Sequence, residues 1–277
     1  MKIRALVPTL VVLAGLLSAT PASAATHSEV VGGVLTVTGT DGADIVTIAC
    51  GGGNVEVNGG NPDSGSASCS DLTAILVKGL GGGDSIFVDQ VYAVDFTGLT
   101  SIRAVGGGDA DQFHGSELDD EFSGSGGDDD FYGSAGSDTF KGGTGADEVD
   151  VTTDANVRLT ESQLELRDGT AALSSVERAK LVSEGRGVRF DARGFRGTVF
   201  MNTAGGDDVL LGGSGTDSLS GGAGGDRVLG NDGDDLISGN DGPDDLRGGS
   251  GNDRIFGGAG RDRCSGGPGS DLVYECE

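Results

Sequence analysis

The chain has 277 residues, with 18 basic and 44 acidic side chains, a formal charge of −26, 55 glycines and no tryptophan. A balance this acidic repels nucleic acid and acidic lipid and attracts cations, and no apolar run after the first residues approaches transmembrane length. Composition alone resembles a disordered, self-repelling polymer, so any fold must be carried by the order of the residues.

At the N-terminus, Lys2 and Arg4 precede an apolar run from Leu10 to Leu17, and Ala22-Ser23-Ala24 supplies the small residues a signal peptidase needs. This pattern predicts a secretory signal peptide at 1–24, cleaved after Ala24, and hence a secreted, extracellular protein. Without Lys2 and Arg4, 16 basic residues face 44 acidic ones and the charge becomes −28.

Residues 25–105 alternate short β-rich runs with Gly, Asn and Asp turns: Val34–Thr38, Ile45–Ile48, Val55–Val57, Ala74–Val77, Ile86–Val88 and Ile102–Val105. Two single nine-residue units lie among them, Gly39–Thr47 (GTDGADIVT) and Gly79–Phe87 (GLGGGDSIF). This segment is expected to be a degenerate version of the uninterrupted arrays further along the chain, most of its rungs lacking the glycine- and aspartate-bearing turn. An isolated unit such as Gly39–Thr47 is read as an ordinary solvated turn.

From Gly106 to Asp150 five such units run without interruption. Their sixth places are Asp111, Asp120, Asp129, Asp138 and Asp147; their eighth places are Phe113, Phe122, Phe131, Phe140 and Val149. Four phenylalanines at one register position predict an inward ladder of rings. The period breaks over 151–203, where Val157–Leu159, Leu164–Leu166, Val188–Phe190 and Thr198–Met201 read as strands of irregular connecting rungs, with a short helix over Ala172–Val182 as the alternative.

The second array occupies 204–277. Asn202–Leu210 fits the repeat with Asp207 at the sixth place, leaving Leu211 as an extra residue before seven perfect units from Gly212 to Tyr274. The sixth places of these units are Asp217, Asp226, Asp235, Asp244, Asp253, Asp262 and Asp271, and each eighth place is Leu, Val, Ile or Cys. So strict a period is first a structural signal. Its glycines let the backbone turn and aim carbonyls at a common point, the aspartates add carboxylates, and the last residues of each unit suit a short strand with one inward apolar side chain. Hard oxygen donors of this kind suit Ca²⁺ better than Mg²⁺, which demands tight octahedral geometry.

The order G-G-x-G-x-D-x-U-x is similar to the repeats-in-toxin (RTX) nonapeptide, and the chain resembles secreted RTX-type calcium-binding proteins of bacteria. The resemblance implies an all-β, right-handed parallel β-roll or β-solenoid with two units per coil. At strand spacing it would have about 12 to 14 coils and a length of ~60 Å. Aspartates two units apart would then stack: Asp111 with Asp129, Asp120 with Asp138, Asp129 with Asp147, Asp217 with Asp235, Asp226 with Asp244, Asp235 with Asp253, Asp244 with Asp262 and Asp253 with Asp271. These eight pairs imply at least eight calcium ions, without which the stacked carboxylates repel and the roll is expected to be largely unfolded. Asp119, Asp128 and Asp234 at fifth places, and Asp232 and Asp241 at third places, are expected to be solvated. RTX toxins and proteases leave the cell by an exporter that reads a C-terminal signal, so an N-terminal signal and a cysteine-bearing end point to a stand-alone secreted module.

Four cysteines in a secreted chain favour disulfides. Three pairings are open, and sequence neighbours favour Cys50 with Cys69 and Cys264 with Cys276, the second stapling the open end of the roll. Catalytic signatures are missing: two histidines cannot form a His-Glu-x-x-His zinc protease, and no Gly-x-Ser-x-Gly or Gly-x-x-x-x-Gly-Lys occurs. The chain is therefore read as a non-enzymatic calcium-binding module with an extracellular glycan or protein as partner. The alternative is a carbohydrate-active enzyme, a polysaccharide lyase or hydrolase, with a cleft against Val30–Val105. Outward arginines such as Arg227, Arg247 and Arg254 are expected to line up on the sheet faces.

Overall fold

The computed structural model describes residues 26–185 and 187–277; the signal peptide expected at 1–24 lies outside them. Among the described residues the chain forms two sheets, of 14 and 12 strands, with no helix long and apolar enough to cross a membrane. Successive strands of the arrays fall alternately in the two sheets, and each pairs in parallel with the strand two units further on. In the larger sheet Val228 lies beside Leu246 and Leu246 beside Cys264; in the smaller, Leu219 lies beside Ile237 and Ile237 beside Ile255. One coil is therefore two nonapeptides, and the fold is a parallel β-roll.

The eighth places form the core. Leu219, Val228, Ile237, Leu246 and Ile255 are buried, as are Phe113, Phe122, Phe131, Phe140 and Val149. The phenylalanine rings stack within each sheet, Phe113 on Phe131 at 5.1 Å and Phe122 on Phe140 at 5.8 Å, and face one another across the roll at 5.3 Å. At the turns, second-place residues hold positive φ in Gly222 (94°), Asn231 (82°) and Asn240 (75°). Asparagine tolerates this left-handed region better than most residues with a Cβ, which explains its presence where other units carry glycine.

Parallel stacking is interrupted at two places. At the N-terminal end His27–Val31 pairs antiparallel with Val34–Thr38, and Ile45–Gly51 with Asn54–Val57, where the Cys50–Cys69 disulfide joins Cα atoms 6.0 Å apart. In the centre Val157–Thr160, Gln163–Glu165 and Gly169–Ser174 form an antiparallel meander inserted into the larger sheet between parallel neighbours. The irregular rungs expected there thus include one strand, Gln163–Glu165, running against the roll. No helix forms over Ala172–Val182: Ala171 and Leu173, then Ala179 and Leu181, point inward at every second residue, the period of strands. The smaller sheet passes the insertion without a gap, Glu148–Thr152 pairing directly with Arg178–Ser183. At the far end Cys264 and Cys276 are bonded, and Leu272, Val273 and Tyr274 of the last strand are exposed because no further coil covers them.

Candidate metal centre

Most array aspartates sit in the turn that leads into a strand, Asp120 and Asp138 lying in the first residues of the strand itself, and the turns of successive coils lie above one another. The stacking is held by a repeated hydrogen bond in which the backbone N–H of one aspartate donates to Oδ1 of the aspartate one coil further on. In the first array Asp111 donates to Asp129 (2.9 Å), Asp129 to Asp147 (2.9 Å) and Asp120 to Asp138 (3.1 Å). In the second, Asp217 donates to Asp235, Asp226 to Asp244, Asp235 to Asp253, Asp244 to Asp262 and Asp253 to Asp271, at 2.8–3.0 Å. All eight expected stacked pairs are thus brought together by the fold.

The second oxygen distinguishes these carboxylates. Oδ2 of Asp111, Asp129, Asp147, Asp226, Asp235, Asp244, Asp253 and Asp262 is buried and has no hydrogen-bond partner in the protein. A buried charged oxygen without a partner is strongly unfavourable, and repetition at so many turns points to one missing kind of partner. Asp120 and Asp138 differ, because Ser116 and Ser134 donate to their Oδ2 atoms, and Asp217 Oδ2 accepts the Gly213 N–H at 2.7 Å. Asp271, in the last coil, is half-buried.

Asp207 requires a correction. Its side chain is exposed and accepts from the Gly225 N–H, whereas the neighbouring Asp208 is 1% exposed, donates to Asp226 Oδ1 at 2.8 Å and carries an unpartnered Oδ2. The unit is therefore Thr203–Leu211, with Asp208 at the sixth place and no extra residue before Gly212. Two further aspartates outside the arrays join the first column. Asp44 donates to Asp84 Oδ1 and Asp84 to Asp111 Oδ1, both at 2.8 Å, and both side chains are buried, so the turn at Gly39–Thr47 is not the solvated one expected. The column ends where the Asp147 N–H meets Glu177 Oε2 at 3.1 Å. Their sixth-place positions made Asp44 and Asp84 visible in the sequence; the chain lengths separating them concealed the stack.

Burial dominates the electrostatics. It pushes the carboxyls of Asp120, Asp129 and Asp235 up to about 7 and those of Asp84, Asp111, Asp138, Asp217 and Asp226 up to about 6. Neighbouring carboxylates add to the rise in most of them, while backbone N–H donors work against it. Such groups gain from any cation that shares their buried surroundings.

Among the described residues no three Asp, Glu, His or Cys side chains converge on one point, so a cation here would take its remaining donors from the backbone. The turns supply them. A Cβ built on Gly212 would come within 2.5 Å of both Asp217 Oδ2 and the Gly230 carbonyl oxygen, and one on Gly239 within 2.6 Å of the Gly257 carbonyl and against Asp244 Oδ2. The first-place glycine leaves open a small hollow lined by a carboxylate and a carbonyl of the next coil. Carboxylate and carbonyl oxygens with no nitrogen or sulfur donor match the preference of Ca²⁺.

Elsewhere, a concavity of about 540 Å³ opens beside the central meander, lined by Arg158, Glu165, Arg189 and Asp191 among others. Its acids are engaged: Glu165 pairs with Arg158 at 3.1 Å, and Asp191, paired with Arg193 and Arg189, is held down to about 2. Arg227 and Arg247 project from the larger sheet and Arg254 from the smaller, so they form no common row.

A parallel roll whose turns stack buried carboxylates over backbone carbonyls defines a repeat protein built to hold hard divalent cations. The family model of the RTX calcium-binding nonapeptide repeat (4 copies) matches residues 105–140, 114–149, 123–156, 202–237 and 238–273. Both arrays therefore carry the RTX calcium-binding nonapeptide repeat, which supports a calcium-binding repeat protein of the RTX type. A search of curated proteins finds no match.

Proposed function

We propose that this protein is exported through its N-terminal signal and folds outside the cell as calcium fills the turns of its roll, serving as a structural or interaction module at an extracellular surface. The observation that carries this reading is the series of buried Oδ2 atoms with no protein partner, repeated turn after turn. Asp111, Asp129 and Asp147 in the first array and Asp208, Asp226, Asp235, Asp244, Asp253 and Asp262 in the second would be the principal ligands. Asp120, Asp138, Asp217 and Asp271 would hold ions less strongly, since serine or backbone donors already satisfy three of them and the fourth lies at the uncovered end. The eight pairs expected from the sequence, together with Asp208 on Asp226, call for at least nine ions.

Bound calcium supplies the positive charge that lets these carboxylates remain ionised in a dry turn. The chain contributes the rest: Oδ1 locks each aspartate to the coil before it, the first-place glycine keeps the hollow open, and the inward ladder holds the coils together. A mature polypeptide of charge −28 (16 basic against 44 acidic residues) with this many buried acids should not close the roll unaided. Circular dichroism should pass from coil to β on adding Ca²⁺ at ~1 mM or below and return with chelator, Mg²⁺ being much less effective. A β spectrum unchanged in chelator would refute calcium-driven folding.

A further inference from the structure

We propose that two additional calcium sites lie outside both arrays, between Asp44 and Asp84 and between Asp84 and Asp111, so that the metal column reaches the disulfide-bonded N-terminal end. The inference rests on the calcium reading of the arrays and extends it to turns that the family model does not match.

Three observations carry it. Asp44 and Asp84 are 2% and 1% exposed, and each has one buried carboxylate oxygen, Oδ1 of Asp44 and Oδ2 of Asp84, with no partner in the protein. Their backbone N–H groups make the 2.8 Å bonds of the ladder, although the chain takes 40 and 27 residues to reach the next aspartate instead of 18. The hollow is also repeated: a Cβ on Gly39 would lie 2.7 Å from Asp44 Oδ2 and against the Gly79 carbonyl, and one on Gly79 against Asp84 Oδ2 and the Gly106 carbonyl.

The backbone adds a fourth mark. Leu80, at the second place of its unit, is held at φ 92°, beside 94° for Gly222 and 82° for Asn231 at the same place in the second array. A leucine is strained in this left-handed region, so the turn keeps the shape of the array turns against the preference of its residue. At Asp44 the Thr40 N–H and hydroxyl donate to Oδ2, as Ser116 does at Asp120. The free Oδ1 is the atom a preceding coil would engage, so this end site holds its ion less strongly than the site between Asp84 and Asp111. Stacking, rather than the nine-residue period, thus defines the column, and the segment carrying Cys50–Cys69 is looped out between two of its ligands.

The test uses the full mature chain and its Asp44→Asn and Asp84→Asn variants, with bound calcium counted by equilibrium dialysis and elemental analysis. Asparagine keeps the Oδ1 acceptor and removes the charge. Asp84→Asn should bind two ions fewer than the wild type and Asp44→Asn one fewer. In the wild type, hydrogen exchange at Ile45–Gly51 and Ser85–Phe87 should slow on adding calcium. Unchanged ion counts, or equal protection of these strands in chelator and calcium while Ser218–Ala223 responds, would overturn the proposal. A wild type that binds no calcium and shows no response at Ser218–Ala223 would instead defeat the calcium reading as a whole. Should Asp84→Asn fail to fold, the exchange of the wild type and the count for Asp44→Asn still decide.

Discussion

Asp207 and Asp208 are chemically alike and adjacent, yet the fold gives them opposite situations. The period in the sequence admits either, because Gly205-Gly206 precedes both and hydrophobic residues follow both; only the pairing of Leu210 with Val228 fixes the frame. A shift of one residue would turn Leu210 from the core to the surface, which its complete burial forbids. The consequence is measurable. Asp208→Asn should raise the half-saturating calcium concentration several-fold and remove at least one ion, since Asp208 lies in line with Asp226. Asp207→Asn should leave both nearly unchanged, losing only a solvent-exposed acceptor for the Gly225 N–H. Calorimetric calcium titration of the two variants would show the reverse order if Asp207 were the ligand.

Strands were the most legible elements, because alternation of inward and outward residues is local: Val34–Thr38 forms over the residues its pattern indicates, and the four array phenylalanines stack inside. Direction was not legible. Val157–Thr160 and Gln163–Glu165 have ordinary strand composition, and nothing in an alternating pattern tells whether a neighbour runs parallel or antiparallel. The stack of Asp44 on Asp84 was hidden for a related reason, since contact between coils depends on where a long connection returns. The end of the roll was clearer, as Cys264 occupies an inward place and Cys276 comes after the last unit. That bridge closes a separation of 12 residues at the coil with the fewest neighbours, and in the chain-entropy model a closure of this size contributes about 3 kcal/mol. In a solenoid each coil is supported only by those next to it. Replacing both cysteines by serine should therefore, in saturating calcium, abolish exchange protection of Arg263–Ser265 and Leu272–Tyr274 while leaving Ser218–Ala223 protected. Loss spread evenly over the array, or no loss at the end, would contradict this local role.

For the whole molecule, protons and calcium compete for the same oxygens. Burial raises the folded-state carboxyls of Asp120, Asp129 and Asp235 to about 7 from an ordinary 3.8. A raised carboxyl binds its proton more tightly in the folded chain than in the unfolded one, so between pH 4 and 7 the metal-free roll takes up protons on folding. Its stability is then fullest below the unfolded value near 4 and is lost as pH rises through 6 to 7. Lowering the pH also reduces the self-repulsion of an acidic chain. In chelator, β content should consequently be greater at pH 4.5 than at pH 8. With calcium present the order reverses in the sense that matters for binding: each ion must displace protons from the raised carboxyls, so the calcium concentration at half-folding should fall several-fold between pH 5.5 and 7.5. Titrations followed by circular dichroism at these pH values separate the two effects. A midpoint independent of pH would mean that the buried aspartates are already ionised without metal, in which case something other than their burial would hold the turns open.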